Sequence, residues 1–220
     1  VPLGPLTMED AAQAFAEQAA ALAEGGVDVL WIETMSSAEE VEAAVRGAMT
    51  TDLPVVVTLS FDTNGRTMMG ITPEAAVALF DRLPRRPTAF GANCGTGPGQ
   101  LLASVLGLAD AAGPGPILVA KGNCGIPEYK DGHICYSGTP EIMAAYAGLA
   151  RDCGARIVGG CCGTTAVHIA AMRHALDEGV RGATPDIPTI AAALGPVVLP
   201  SVSGASQAER ERGERRRRRG

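Results

Sequence analysis

The chain has 220 residues, enough for one domain with a substantial core, and its 46% hydrophobic content excludes a largely disordered protein. Aromatics make up only 4%, so the core has to be built from Ala, Val, Leu and Ile; the net charge of −6 combines +4 in residues 209–219 with −10 in the body before them. Six cysteines without the spacing of a short disulfide scaffold, and no stretch that reads as a signal peptide or a membrane span, predict reduced thiols in a cytoplasmic protein with no membrane partner.

In chain order, a helical pattern covers 7–24 with Thr7 as its cap, and an apolar run at 27–34 reads as the first strand. A helix at 36–49, capped by Ser36, leads to a strand at 54–61. A helix at 73–83 follows, with Thr72 as cap and Pro73 in its first turn, then a strand at 88–95 and a helix at 98–112. The last units are a strand at 117–123, a helix at 139–152 with Thr139 and Pro140 at its start, a strand at 155–161 and a helix at 164–178. Periodicity stops near Leu199, so 1–199 reads as the folded domain and 200–220 as a solvated, disordered Arg-rich tail. That tail has no interleaved aromatics, and no nucleic-acid partner is assigned to it.

The strands are almost continuously apolar, as expected when both faces are covered, and strands alternate with helices as in a parallel βα fold. Five such units suit either an open doubly wound sheet or part of an eight-stranded barrel. The polar residues favour the barrel. Glu33, Ser60, Asn93 with Cys94, Asn123 with Cys124, and Cys161 with Cys162 all fall at the carboxyl ends of successive strands, the ends that a barrel gathers into one mouth.

Cys161 and Cys162 carry the most information. Neighbouring side chains in a strand point to opposite faces, so two adjacent cysteines serve one site only where the strand ends. Gly159, Gly160 and Gly163 allow the chain to curl away there. Cys94 ends another apolar run and is flanked by Gly95. Three thiolates at strand ends make an open zinc site, with Zn2+ as the expected cofactor. Cys135 and Cys153 read as structural, and Gly95-Thr96-Gly97-Pro98-Gly99 as a turn beyond Cys94 rather than a phosphate cradle. A redox role for the adjacent pair ranks last, because no Cys-x-x-Cys is present and adjacent cysteines form a strained disulfide.

With Gly25-Gly26-Val27-Asp28-Val29-Leu30-Trp31-Ile32-Glu33-Thr34, Gly91-Ala92-Asn93-Cys94, the Asn123 segment and Gly159-Gly160-Cys161-Cys162-Gly163-Thr164, the chain resembles the zinc-dependent homocysteine S-methyltransferases. That barrel family includes betaine-homocysteine methyltransferase and the homocysteine-binding module of cobalamin-dependent methionine synthase. The resemblance runs from about 7 to 180. It implies that Cys94, Cys161 and Cys162 are the zinc ligands, that Glu33 holds the amino group of homocysteine, and that Asn93 and Asn123 line the pocket. It also implies a TIM (β/α)8-type barrel of which only strands four to eight are present, completed by a further chain segment, a complementing chain or a homo-oligomer. The expected reaction moves a methyl group from a small donor, betaine, S-methylmethionine or methyl-cobalamin, to the homocysteine thiol. Thr34 stands where betaine-using relatives have an aromatic residue. An inactive or partner-completed zinc-binding half barrel is the alternative. By the same comparison, Cys124 is a packing variant beside the mouth and His168 a helix cap rather than a fourth ligand. Glu33, at the end of an apolar strand, needs a cationic partner, either the substrate ammonium or an Arg or Lys of the chain.

Overall fold

The computed structural model describes residues 1–198, so the tail expected over 200–220 lies outside the described residues. Helix α1 (Met8–Glu24) opens the fold; strand β1 (Leu30–Met35), helix α2 (Ala38–Ala48), β2 (Val55–Leu59), α3 (Pro73–Arg82), β3 (Ala89–Cys94), α4 (Pro98–Ala112) and β4 (Ile117–Gly122) follow. Next come a two-stranded hairpin, β5 (Pro127–Lys130) with β6 (His133–Tyr136), then α5 (Pro140–Asp152), β7 (Ala155–Gly160), α6 (Ala166–Glu178) and α7 (Ile187–Leu194). The main sheet is parallel, in the order β1-β2-β3-β4-β7. Among the described residues no helix is long and apolar enough to cross a membrane.

Alternation along the strands separates two faces. Ile32, Val57, Phe90, Leu118 and Ala155 are aligned across the sheet, as are Leu59, Ala92, Ala120 and Val158, and these rows join the main core beneath the helices. Helix α4 meets them with Leu101, Leu102, Val105 and Leu108, all buried on one stripe. On the other face Val56, Ala89 and Val119 form a separate apolar cluster with Ile117 and Ile157. Helix α1 packs on α2, and Gly47 permits the approach: a Cβ there would lie 2.6 Å from that of Phe15.

The helix starts follow capping chemistry. Thr7, Thr72 and Thr139 each accept a hydrogen bond from the backbone N–H three residues on. The cap of α2 is Ser37, not Ser36: Ser37 Oγ accepts from Glu40 N at 3.1 Å, while the Ser36 carbonyl is taken by Thr67 Oγ1.

The sheet is strongly curled. β1 and β4 are three strand spacings apart, roughly 14 Å on a flat sheet, yet Lys121 of β4 forms an ion pair with Glu33 of β1. The fold is thus an α/β arc of five parallel strands in which, among the described residues, β1 and β7 each keep one unpaired edge.

Candidate metal and substrate site

Three strand ends converge. The chain leaves β3 through Cys94 (φ +61°) and Gly95 (φ +79°), both left-handed, which turns it off the sheet and brings the Cys94 thiol round. β7 stops at Gly160, and the turn through Cys161, Cys162 and Gly163 (φ +78°) sets both thiols at the same end. Cys94 Sγ and Cys161 Sγ each lie 3.9 Å from Cys162 Sγ, and all three sulfurs are within 4.8 Å of one another. All six cysteines are free thiols.

Asn123, nearly completely buried, holds this geometry. Its Nδ2 donates to Gly95 O at 2.7 Å and its Oδ1 accepts from Cys162 N at 3.1 Å, so one amide directly after β4 fastens the two cysteine turns on either side of it. Asn93 makes the matching clamp towards β1. Its Oδ1 accepts from Thr34 N at 2.9 Å and its Nδ2 donates to Thr34 Oγ1 at 2.8 Å. Thr34 has φ +63°, a costly conformation for a β-branched residue, and the two hydrogen bonds hold it there directly after Glu33.

Burial pushes the Cys94 thiol up to about 11; a hydrogen bond with Asn123 opposes this, and the neighbouring Cys161 and Cys162 add to the rise. Three thiolates this close repel one another unless a cation joins them. A tetrahedral zinc with Zn–S of about 2.3 Å sets its sulfurs roughly 3.8 Å apart, and two of the three separations here are 3.9 Å. The donor set therefore fits zinc and leaves a fourth position.

Glu33 is paired with Lys121, and the Lys121 ammonium also lies 5.3 Å from the centroid of the Trp31 ring. Lys121 is thus the cation that the chain itself supplies to Glu33. A cavity of about 240 Å³ opens beside β1, lined by Leu22, Leu30, Trp31, Ile32 and Glu33 among others; the cysteines do not line it.

The remaining candidates fall outside the thiol cluster. Cys124 is buried, with its thiol 3.3 Å from Gly138 O, and burial raises its pKa. Cys153 is buried and pushed up to about 12 by that burial, and Cys135 is exposed on β6. His168 is a cap: its Nδ1 accepts from Thr165 N at 3.1 Å. Two features were not foreseen. Lys121, inside an apolar strand, belongs to the segment that resembles the family but was not among the candidate site residues. Tyr136 of β6 lies over Gly163, where an added Cβ would come within 2.4 Å of its ring. The signal for its hairpin was available in Asp131-Gly132, both left-handed at the turn (φ +49° and +83°), the pair that two-residue hairpin turns favour.

The sequence profile described as homocysteine S-methyltransferase matches residues 2–176. The chain belongs to the homocysteine S-methyltransferase family. It is 32% identical over 179 residues to the methionine synthase of Mycobacterium leprae (strain TN), covering 78% of this chain and 14% of that protein. Identity to the methionine synthase of Mycobacterium tuberculosis (strain ATCC 25618 / H37Rv) is 32% over 163 residues, 71% of this chain and 13% of the relative. Among solved structures, the oxidized form of the homocysteine methyltransferase MmuM from Escherichia coli superposes with a TM-score of 0.59 at 25% identity, covering 74% of this chain and 52% of that one. This family member thus spans about half the length of MmuM and about one seventh of the methionine synthases.

Proposed function

We propose that this chain carries the thiol-activating end of a zinc-dependent methyltransferase that moves a methyl group to the sulfur of homocysteine and forms methionine. The observation that carries the reading is the convergence of Cys94, Cys161 and Cys162 within 4.8 Å at the strand ends. Bound by these three thiolates, zinc supplies a Lewis acid that keeps the substrate thiol ionised at neutral pH. The chain's own residues do the rest. Asn123 keeps the two cysteine turns in register, Cys94 gives up its proton on loading, and Glu33 accepts the substrate ammonium. In the transfer the sulfur loses its proton and gains the methyl group, and the donor leaves one methyl poorer. The donor is betaine, S-methylmethionine or methyl-cobalamin. With Thr34 following Glu33, no aromatic side chain at that position encloses a quaternary ammonium.

The five strands are read as the carboxyl-terminal portion of a (β/α)8 barrel. Support comes from the curl of the sheet, the edge of β1 that no described strand pairs, and a match over 52% of MmuM. The same edge supports the second reading, in which another strand-bearing segment or chain completes the site.

The decisive comparison is zinc retained per chain after purification under reducing conditions, for the unaltered protein, Cys161→Ser and Cys153→Ser. About one zinc is expected in the first and third and a loss in the second. Equal loss in both variants would overturn the ligand assignment.

A further inference from the structure

Glu33 and Lys121 face each other beside the thiol cluster, and the homocysteine reading leaves the lysine without a role. Lys121 is on β4, aligned with Asn93 of β3 and Gly159 of β7, one residue before the level of Cys94 and Gly160. Gly159 has no side chain to fill the space beside it; a Cβ there would already touch Lys121 Cγ at 3.4 Å. Asn93, aligned with Lys121, spends both ends of its amide on Thr34 and does not compete for the lysine. The ion pair is reachable by water, with side-chain exposures of 23% for Lys121 and 44% for Glu33, and a pair in such surroundings exchanges partners readily. Lys121 also keeps a second partner, the face of Trp31, when Glu33 turns elsewhere. On the same strand face Thr58 is fully buried, and its Oγ1 has no hydrogen-bond partner.

A lone carboxylate selects any amine. A carboxylate in contact with an ammonium is complementary to a zwitterion, whose two charged groups hang on one carbon. We propose that Lys121 completes the receptor for the α-amino-acid end of the substrate: beside Glu33, which takes the ammonium as in the homocysteine reading, Lys121 donates to the carboxylate. This deepens the homocysteine reading and rests on it. Lys121 becomes the residue that distinguishes an amino-acid thiol from a simple aminothiol.

The test is calorimetric titration of the zinc-loaded, full-length protein with L-homocysteine and with 3-aminopropane-1-thiol, which lacks only the carboxylate. The unaltered protein should bind homocysteine roughly 10- to 100-fold more tightly, the effect of one charged hydrogen bond. Lys121→Met should erase that preference without loss of zinc, and Lys121→Arg should restore part of it. Unchanged or tighter homocysteine binding by Lys121→Met would overturn the proposal, because the lysine would then be only a lock on Glu33. Equal binding of both thiols by the unaltered protein would overturn it too, with zinc–thiol recognition left standing. If neither thiol binds, the homocysteine reading itself falls, and the receptor with it.

Discussion

Asn123 holds more of the candidate site than any cysteine does. A single side chain satisfies Gly95 O and Cys162 N, which belong to turns on different strands. Asn123→Ala should remove both ties while leaving every thiol in place. Its zinc affinity should fall about 10- to 100-fold, as when residues that orient metal ligands are lost, measured by competition with a chromogenic chelator. The protonation of Cys94 gives a second expectation. Its pKa is raised to about 11, so at neutral pH it holds a proton that zinc has to displace. Zinc affinity should therefore climb with pH, by about tenfold per unit for each proton released, and keep climbing below that value. A flat response between pH 6.5 and 8.5 would contradict the raised pKa. The thiols were legible in the sequence because adjacent cysteines admit few structural explanations. The asparagines were legible only as strand-end amides; that each clamps a particular turn depends on contacts 28 to 59 residues away in sequence.

At the level of elements, the strands and six of the helices follow from apolar runs, caps and first-turn prolines, and they fall within a few residues of their expected bounds. What escaped was short or masked by composition. The hairpin β5–β6 is only four residues a side and mostly exposed, so it carries no apolar run. Helix α7 has eight residues in a part of the domain to which the apolar pattern assigns no element, although Asp186 caps it and Ile190 is fully buried. Tyr146 of α5 shows how a helix reaches the site. Its fully buried hydroxyl accepts from Gly122 N at 2.9 Å and donates to Gly159 O at 3.3 Å, joining β4 to β7 just before the cysteine turn. Burial raises its pKa, so the phenol keeps its proton and remains a donor. Tyr146→Phe keeps the ring and removes both bonds, leaving a buried N–H without its partner. Stability should drop by about 1–3 kcal/mol, seen in urea unfolding as a lower midpoint with an unchanged slope.

For the molecule as a whole, the parallel α/β architecture was legible, because apolar runs mark all five strands of the main sheet, although only β2, β3 and most of β4 are buried on both faces while β1 and β7 expose part of theirs. The curl was not, since twist and coiling come from packing across the sheet rather than from any local pattern. Curl is what turns a row of strand ends into a site: it brings Cys94 of β3 to Cys162 beyond β7, and Glu33 of β1 to Lys121 of β4. Trp31, the single tryptophan of the 220 residues, lies where that curl closes, its ring beneath the Lys121 ammonium and its backbone two residues before Glu33. The tryptophan fluorescence of this chain, excited selectively past the absorption of its three tyrosines, therefore comes from one indole beside the strand-end site, an optical reporter of which cation sits over it that needs no label.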